Sequence, residues 1–122
     1  MIVVLFRSRL TGAAGEEYRS LDALLEQKGR AAPGFVDMKS FTAADGERLT
    51  LVWWKDLETL RQWREDPVHR AAQEKGRALW YERYDMEVAE VVRESRFTRT
   101  DGDGAGAGGT REATSVSSGS RA

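Results

Sequence analysis

His69, Gln73, Gly76 and Trp80 stand 4, 3 and 4 residues apart, the spacing that sets side chains along one stripe of an α-helix. His69 is the only histidine, and all four tryptophans (Trp53, Trp54, Trp63 and Trp80) fall with it inside residues 49–84. Imidazole is the side chain that changes charge nearest neutral pH, so it serves as acid, base or ligand. Indoles bring large flat walls, each with one N–H that needs a partner when buried. Small Ala72 and Gly76 would leave space above the stripe. The combination fits the lining of a dry aromatic cavity, with His69 taking a proton and Gln73 orienting a ligand. The plainer alternative is that His69 faces solvent or satisfies a backbone carbonyl near the helix start, with Trp63 as ordinary core.

Other chemistries have little support. The chain has no cysteine, which removes disulfides, thiolate metal sites and cysteine nucleophiles. A single histidine among scattered carboxylates has no converging spacing for a metal. There is no Walker loop, HExxH or GxSxG, and Ser8 and Ser40 lack a pattern that would make them nucleophiles. The formal net charge is −1, with bases interspersed among acids, so neither nucleic acid nor a membrane surface is an expected partner. The apolar run at residues 2–6 ends at Arg7, too short for a secretory signal or a membrane span. A cytoplasmic protein is the expectation.

The elements that must position the stripe follow from periodicity and punctuation. A length of 122 residues fits one domain. Residues 2–9 read as a strand, and Tyr18, Leu21, Leu24 and Leu25 give 16–30 an amphipathic helical pattern. Ala32-Pro33-Gly34 stops that helix. Residues 35–42 and 48–54 read as strands around the Ala44-Asp45-Gly46 turn. Adjacent Trp53 and Trp54 must then point to opposite faces of the sheet. Asp56 is a candidate cap for a short helix with Leu57, Leu60 and Trp63. Asp66-Pro67 starts another helix, running to about Arg77. In a last strand, Tyr84, Met86 and Val88 alternate against Asp85 and Glu87. The order βαββααβ describes an α+β, ferredoxin-like sandwich with an antiparallel four-stranded sheet. Its helix-free face needs a cover, for which a second copy of the chain is the economical candidate, giving a homodimer. The domain is expected over 1–97. Residues 98–122, with six of the twelve glycines, are expected to form a disordered tail.

The order of elements, the stretch LTLVWWKDLETLRQW, the following DPVHRAAQEKGRALWYERY and the closing strand resemble the antibiotic biosynthesis monooxygenase superfamily over about residues 1–93. That resemblance implies a dimeric α+β barrel with a pocket between sheet and helices. Members include cofactor-independent monooxygenases of aromatic polyketides, haem-degrading monooxygenases, and many small proteins of unassigned role. In the polyketide oxidisers an indole ending the third strand helps hold the substrate, and Trp54 matches it. Thr50 and Leu60 stand where those enzymes carry asparagine and tyrosine. Against the haem degraders, Trp63 matches a tryptophan, whereas Ser8 replaces an asparagine and Gln73 the ligand histidine. His69 lies one turn, about 6 Å, from that ligand position.

The resemblance thus implies a cofactor-independent oxygenase of a small phenolic or quinone-like compound. His69 is its base or hydrogen-bond partner, Gln73 its orienting amide, and Trp54, Trp63, Gly76 and Trp80 line its pocket. The alternatives are a haem-binding, haem-degrading enzyme or a non-catalytic small-molecule-binding dimer.

Overall fold

The computed structural model describes residues 1–100. The segment expected to be a disordered tail lies outside the described residues from 101 onward. The elements are β1 (Ile2–Leu10), α1 (Glu16–Arg30), β2 (Phe35–Thr42), β3 (Arg48–Trp54), α2 (Leu57–Arg64), α3 (Pro67–Lys75), a π-helical turn at Gly76–Trp80, and β4 (Tyr81–Glu90). The strands form one antiparallel sheet in the order β2-β3-β1-β4. This is the α+β, ferredoxin-like βαββααβ arrangement.

Local chemistry sets the joints. The Asp56 carboxylate accepts from the Thr59 amide at 2.9 Å and caps α2. Asp66 accepts from the amides of Val68 at 2.8 Å and His69 at 3.2 Å, with Pro67 at the first turn of α3. Both caps neutralise donors that a helix start leaves unpaired. Between α1 and β2, Gly34 takes φ +85°, and a Cβ there would lie 2.2 Å from the Thr59 hydroxyl oxygen. That position needs glycine on both counts.

Strand alternation sorts the sheet residues into two faces. The register aligns Val4 with Val52 and Val88, and Phe6 with Thr50 and Met86, on one face. Ile2, Val4 and Trp54 of that face pack with Leu60 of α2 as the buried core. The other face carries half-buried Val3, Leu5, Leu51 and Trp53. Glu47, in the β2–β3 turn, is shared by Arg7 of β1 at 3.3 Å and Arg83 of β4 at 3.1 Å.

Two helix readings are corrected. The helix from Pro67 does not run in one register to Arg77, because α3 ends at Lys75 and the π turn comes next. On α1, Leu24 is 43% exposed, and the inward stripe is Tyr18, Asp22, Leu25 and Gly29. Those four residues keep the 4-3-4 spacing of one helix face.

Candidate functional site

The helix-bearing face of the sheet and the three helices enclose a cavity of about 190 Å³. Trp54 is its best-buried wall at 1% exposure. Its ring lies 6.2 Å from that of Trp63, with the planes 28° apart. Trp63 in turn lies 5.0 Å from the His69 imidazole. Gly29 of α1 lets the Trp63 indole approach, since a Cβ there would already touch its ring at 3.4 Å. His69 is therefore held against an indole, two residues into a helix whose start is pinned by Asp66.

The electrostatics of His69 follow from that enclosure. Burial pushes the imidazole below its ordinary value, while the nearby Asp66 carboxylate and the Arg64 backbone pull the other way. Desolvation wins, so the ring is neutral at neutral pH. Its Nδ1 is buried and has no hydrogen-bond partner. Gln73, one turn further along α3, also lines the cavity.

The far end is phenolic. Tyr81 and Tyr84 line it, with Asp22 of α1 and Thr50 of β3. Phe6 packs against both tyrosine rings at 5.5 and 5.1 Å. The Tyr84 hydroxyl accepts from Arg77 Nη1 at 3.1 Å. Thr50 is 5% exposed, and its hydroxyl lies 2.9 Å from that of Ser40 on β2.

Of the residues picked from the sequence, His69, Gln73, Trp54 and Trp63 meet at the cavity, with Ala72 beside them. Gly76 and Trp80 are not among its lining residues. The π turn adds a residue to one turn of helix and so rotates the later positions out of the stripe. Trp80 is instead buried on Tyr18, ring centroids 5.3 Å apart. The space beside Gly76 is filled by Tyr81, whose Cε2 would lie 2.6 Å from an added Cβ. Of the positions where the resemblance implied other residues, Thr50 and Leu60 line the cavity, whereas Ser8 is buried without lining it. Sequence reasoning misses Asp22, Tyr81 and Tyr84. A signal for Asp22 exists in the 18-22-25-29 spacing, but the leucines beside it mask that pattern.

A four-stranded antiparallel sheet under three helices, with an aromatic cavity between the layers, is the architecture of a small ferredoxin-like α+β domain. The chain belongs to the antibiotic biosynthesis monooxygenase family, which it matches over residues 1–75. It is 39% identical over 71 residues to the uncharacterized protein YqjZ of Bacillus subtilis, covering 58% of this chain and 62% of that protein. It is 29% identical over 94 residues to the jasmonate monooxygenase ABM of Pyricularia oryzae, covering 75% of this chain and 44% of that one. The chain thus spans between 44% and 62% of these curated relatives.

Among solved structures, it resembles a putative antibiotic biosynthesis monooxygenase from Deinococcus radiodurans, with TM-score 0.69 and 14% identity over 81% of this chain and all (100%) of that one. It also resembles SnoaB, a cofactor-independent oxygenase from Streptomyces nogalater, with TM-score 0.63 and 19% identity over 76% of this chain and 94% of that one. At such identities the likeness is one of fold. Among the described residues, no helix is long and apolar enough to cross a membrane.

Proposed function

We propose that the chain is a cofactor-independent monooxygenase acting on a small phenolic or quinone-like compound held between Trp54 and Trp63. One observation carries the reading: the lone imidazole, His69, lines the cavity against Trp63, and its buried Nδ1 has no hydrogen-bond partner. Left neutral by burial, it is placed to take a proton from an acidic C–H or O–H of an electron-rich ring. The resulting anion transfers one electron to dioxygen. Recombination at carbon and loss of water convert the ring position to a carbonyl, with one oxygen atom retained and the other leaving as water. Gln73 orients the ligand, and the indoles exclude water, which strengthens each polar contact. The cavity of about 190 Å³ is smaller than the roughly 300–1,000 Å³ of clefts for drug-sized ligands, which favours one or two rings.

Haem does not fit this reading. A porphyrin exceeds a cavity of about 190 Å³, and Gln73 rather than an imidazole faces it from the second turn of α3. The half-buried face with Val3, Leu5, Leu51 and Trp53 supports pairing with a second copy, sheet to sheet, and light scattering that gives the monomer mass at micromolar concentration would exclude it. The oxygenase reading is tested by oxygen uptake with a panel of naphthols, hydroquinones and anthrone-type compounds. Turnover in the wild type that collapses in His69→Ala supports it, and no uptake across the panel sinks it.

A further inference from the structure

The mouth of the cavity carries a charge that the proton-abstraction step does not use. Of the residues lining the cavity, Arg64, Met86 and Val88 are the exposed ones, so it opens between the end of α2 and β4. Met86 and Val88, 39% and 43% exposed, lie level with Phe6 and Val4 on the helix-bearing face of the sheet. Arg64 is four residues beyond Leu60, which places both on one stripe of α2. Leu60 is buried in the core with Trp54, and Arg64 continues that wall outward to the rim.

Arg64 is also the cation left over in its neighbourhood. Glu58 and Glu65 on either side are both taken by Arg61, at 2.5 and 2.7 Å. Asp66 pairs with Lys28 at 3.5 Å and caps α3. Glu26, which reaches the cavity from α1, accepts from Arg30 at 3.0 Å, and Asp22 beside it has a partner of its own. At the phenol end Arg48 is a second cation near Tyr18 and Tyr81, but it too is partnered and does not line the cavity. Among the described residues Arg64 forms no ion pair. Its charge is nonetheless felt at His69, where it opposes protonation.

A mouth with an apolar floor and one uncompensated guanidinium suits an amphipathic anion. The rings bury between Trp54 and Trp63, while the charged group stays at the rim and is spared full desolvation. A guanidinium offers a carboxylate two parallel N–H donors, a geometry that an ammonium lacks. The reverse orientation is disfavoured, because a carboxylate carried inward meets Asp22 and Glu26. We propose that Arg64 is a specificity residue that binds a carboxylate at the cavity mouth, which makes the ligand an aromatic acid that enters ring first. This rests on the aromatic-ligand reading above, and adds to it the charged group that the ligand carries.

The test is anaerobic binding at neutral pH, read by quenching of tryptophan fluorescence and by calorimetry. The probes are 3-hydroxy-2-naphthoate and 6-hydroxy-2-naphthoate, each set against its methyl ester, with 2-naphthol as the neutral reference. The wild type is expected to hold at least one acid about tenfold more tightly than its ester, the factor that a charged hydrogen bond supplies at a partly wet site. The preference should shrink as salt is raised. Arg64→Gln abolishes it and leaves 2-naphthol within about twofold. Arg64→Lys keeps part of it, and Arg64→Glu reverses it. If Arg64→Gln fails to melt cooperatively, the acid-to-ester ratio of the wild type and its salt dependence decide alone.

Equal affinity for acid and ester at both ring positions, a preference that survives Arg64→Gln, or no binding of any probe overturns the site. Oxygen uptake is scored separately. Acid-selective binding without uptake sinks the oxygenase reading and keeps the anion site, whereas uptake with acid and ester bound equally does the reverse.

Discussion

At one end of the cavity burial lowers the affinity of His69 for its proton, and at the other it raises that of Tyr81. The physical cause is the same, because a low-dielectric site disfavours whichever form is charged. For an imidazole that form is the cation, so His69 is left as a neutral acceptor. For a phenol it is the anion, so Tyr81 is left as a neutral donor. One mainly apolar cavity thus holds a neutral proton acceptor at one end and a neutral proton donor at the other.

Replacing His69 should have the largest effect and should act at one end only. His69→Ala is expected to lower kcat/KM for oxygen uptake by about 10²–10⁴-fold, the usual worth of a positioned base, with anaerobic binding of a naphthol kept within a few fold. Equal loss of binding and turnover would mean that the two ends are not separable. The pH profile sharpens the same contrast. Activity needs neutral His69, so the rate should fall on the acid side with a midpoint below the ordinary 6.5. A midpoint above 6.5 would overturn the assignment of desolvation as the dominant cause. The linkage has the same sign: a folded value below the unfolded one means that this part of the stability is present above about pH 6.5 and is lost as pH falls through the window beneath it. Melting temperatures of wild type and His69→Ala should therefore converge towards mildly acid pH.

Gly76→Ala tests the phenol end. Its added Cβ would collide with the Tyr81 ring at 2.6 Å, and a ring wedged among three others has little freedom to yield. The expected cost is about 1–3 kcal/mol, read by chemical denaturation. The acid limb of the pH profile should be unmoved. Asp66→Ala should have the smallest effect. It frees the amides of Val68 and His69 and is expected to lower the melting temperature by a few degrees. It also removes a carboxylate that raises the His69 value, so the acid limb should move to still lower pH.

How much of this is legible in the chain differs between the two ends. The imidazole end lies in short-range patterns. Asp66-Pro67 announces a helix start, and His69 and Gln73 are one α turn apart within it. Trp54 ends a strand whose alternation assigns its face, and all of these hold in the fold. The phenol end lies in relations that sequence spacing does not carry. Extending α periodicity past Lys75 puts Trp80 on the stripe, but the backbone there widens into a π turn. The small side chain of Gly76 suggests room for a ligand, but the room is taken by Tyr81, five residues on and across the turn into β4. The leucines of α1 suggest a helix face turned away from Asp22, although Asp22 is the residue that reaches the cavity.

The sequence by itself determined the order of elements, the helix caps, the two faces of the sheet, and the identity of the one group able to act as a base near neutral pH. These depend on residue type and on neighbours within a turn or a strand pair, where local sterics and hydrogen bonding decide. Only the tertiary structure decided which indoles share the cavity, that His69 is buried enough to stay neutral, and that Tyr18, Asp22 and Tyr81 converge at its other end. Those depend on desolvation and on packing between helices and strands, which for Tyr18, Asp22 and Tyr81 joins residues more than fifty apart along the chain, and no local pattern encodes them.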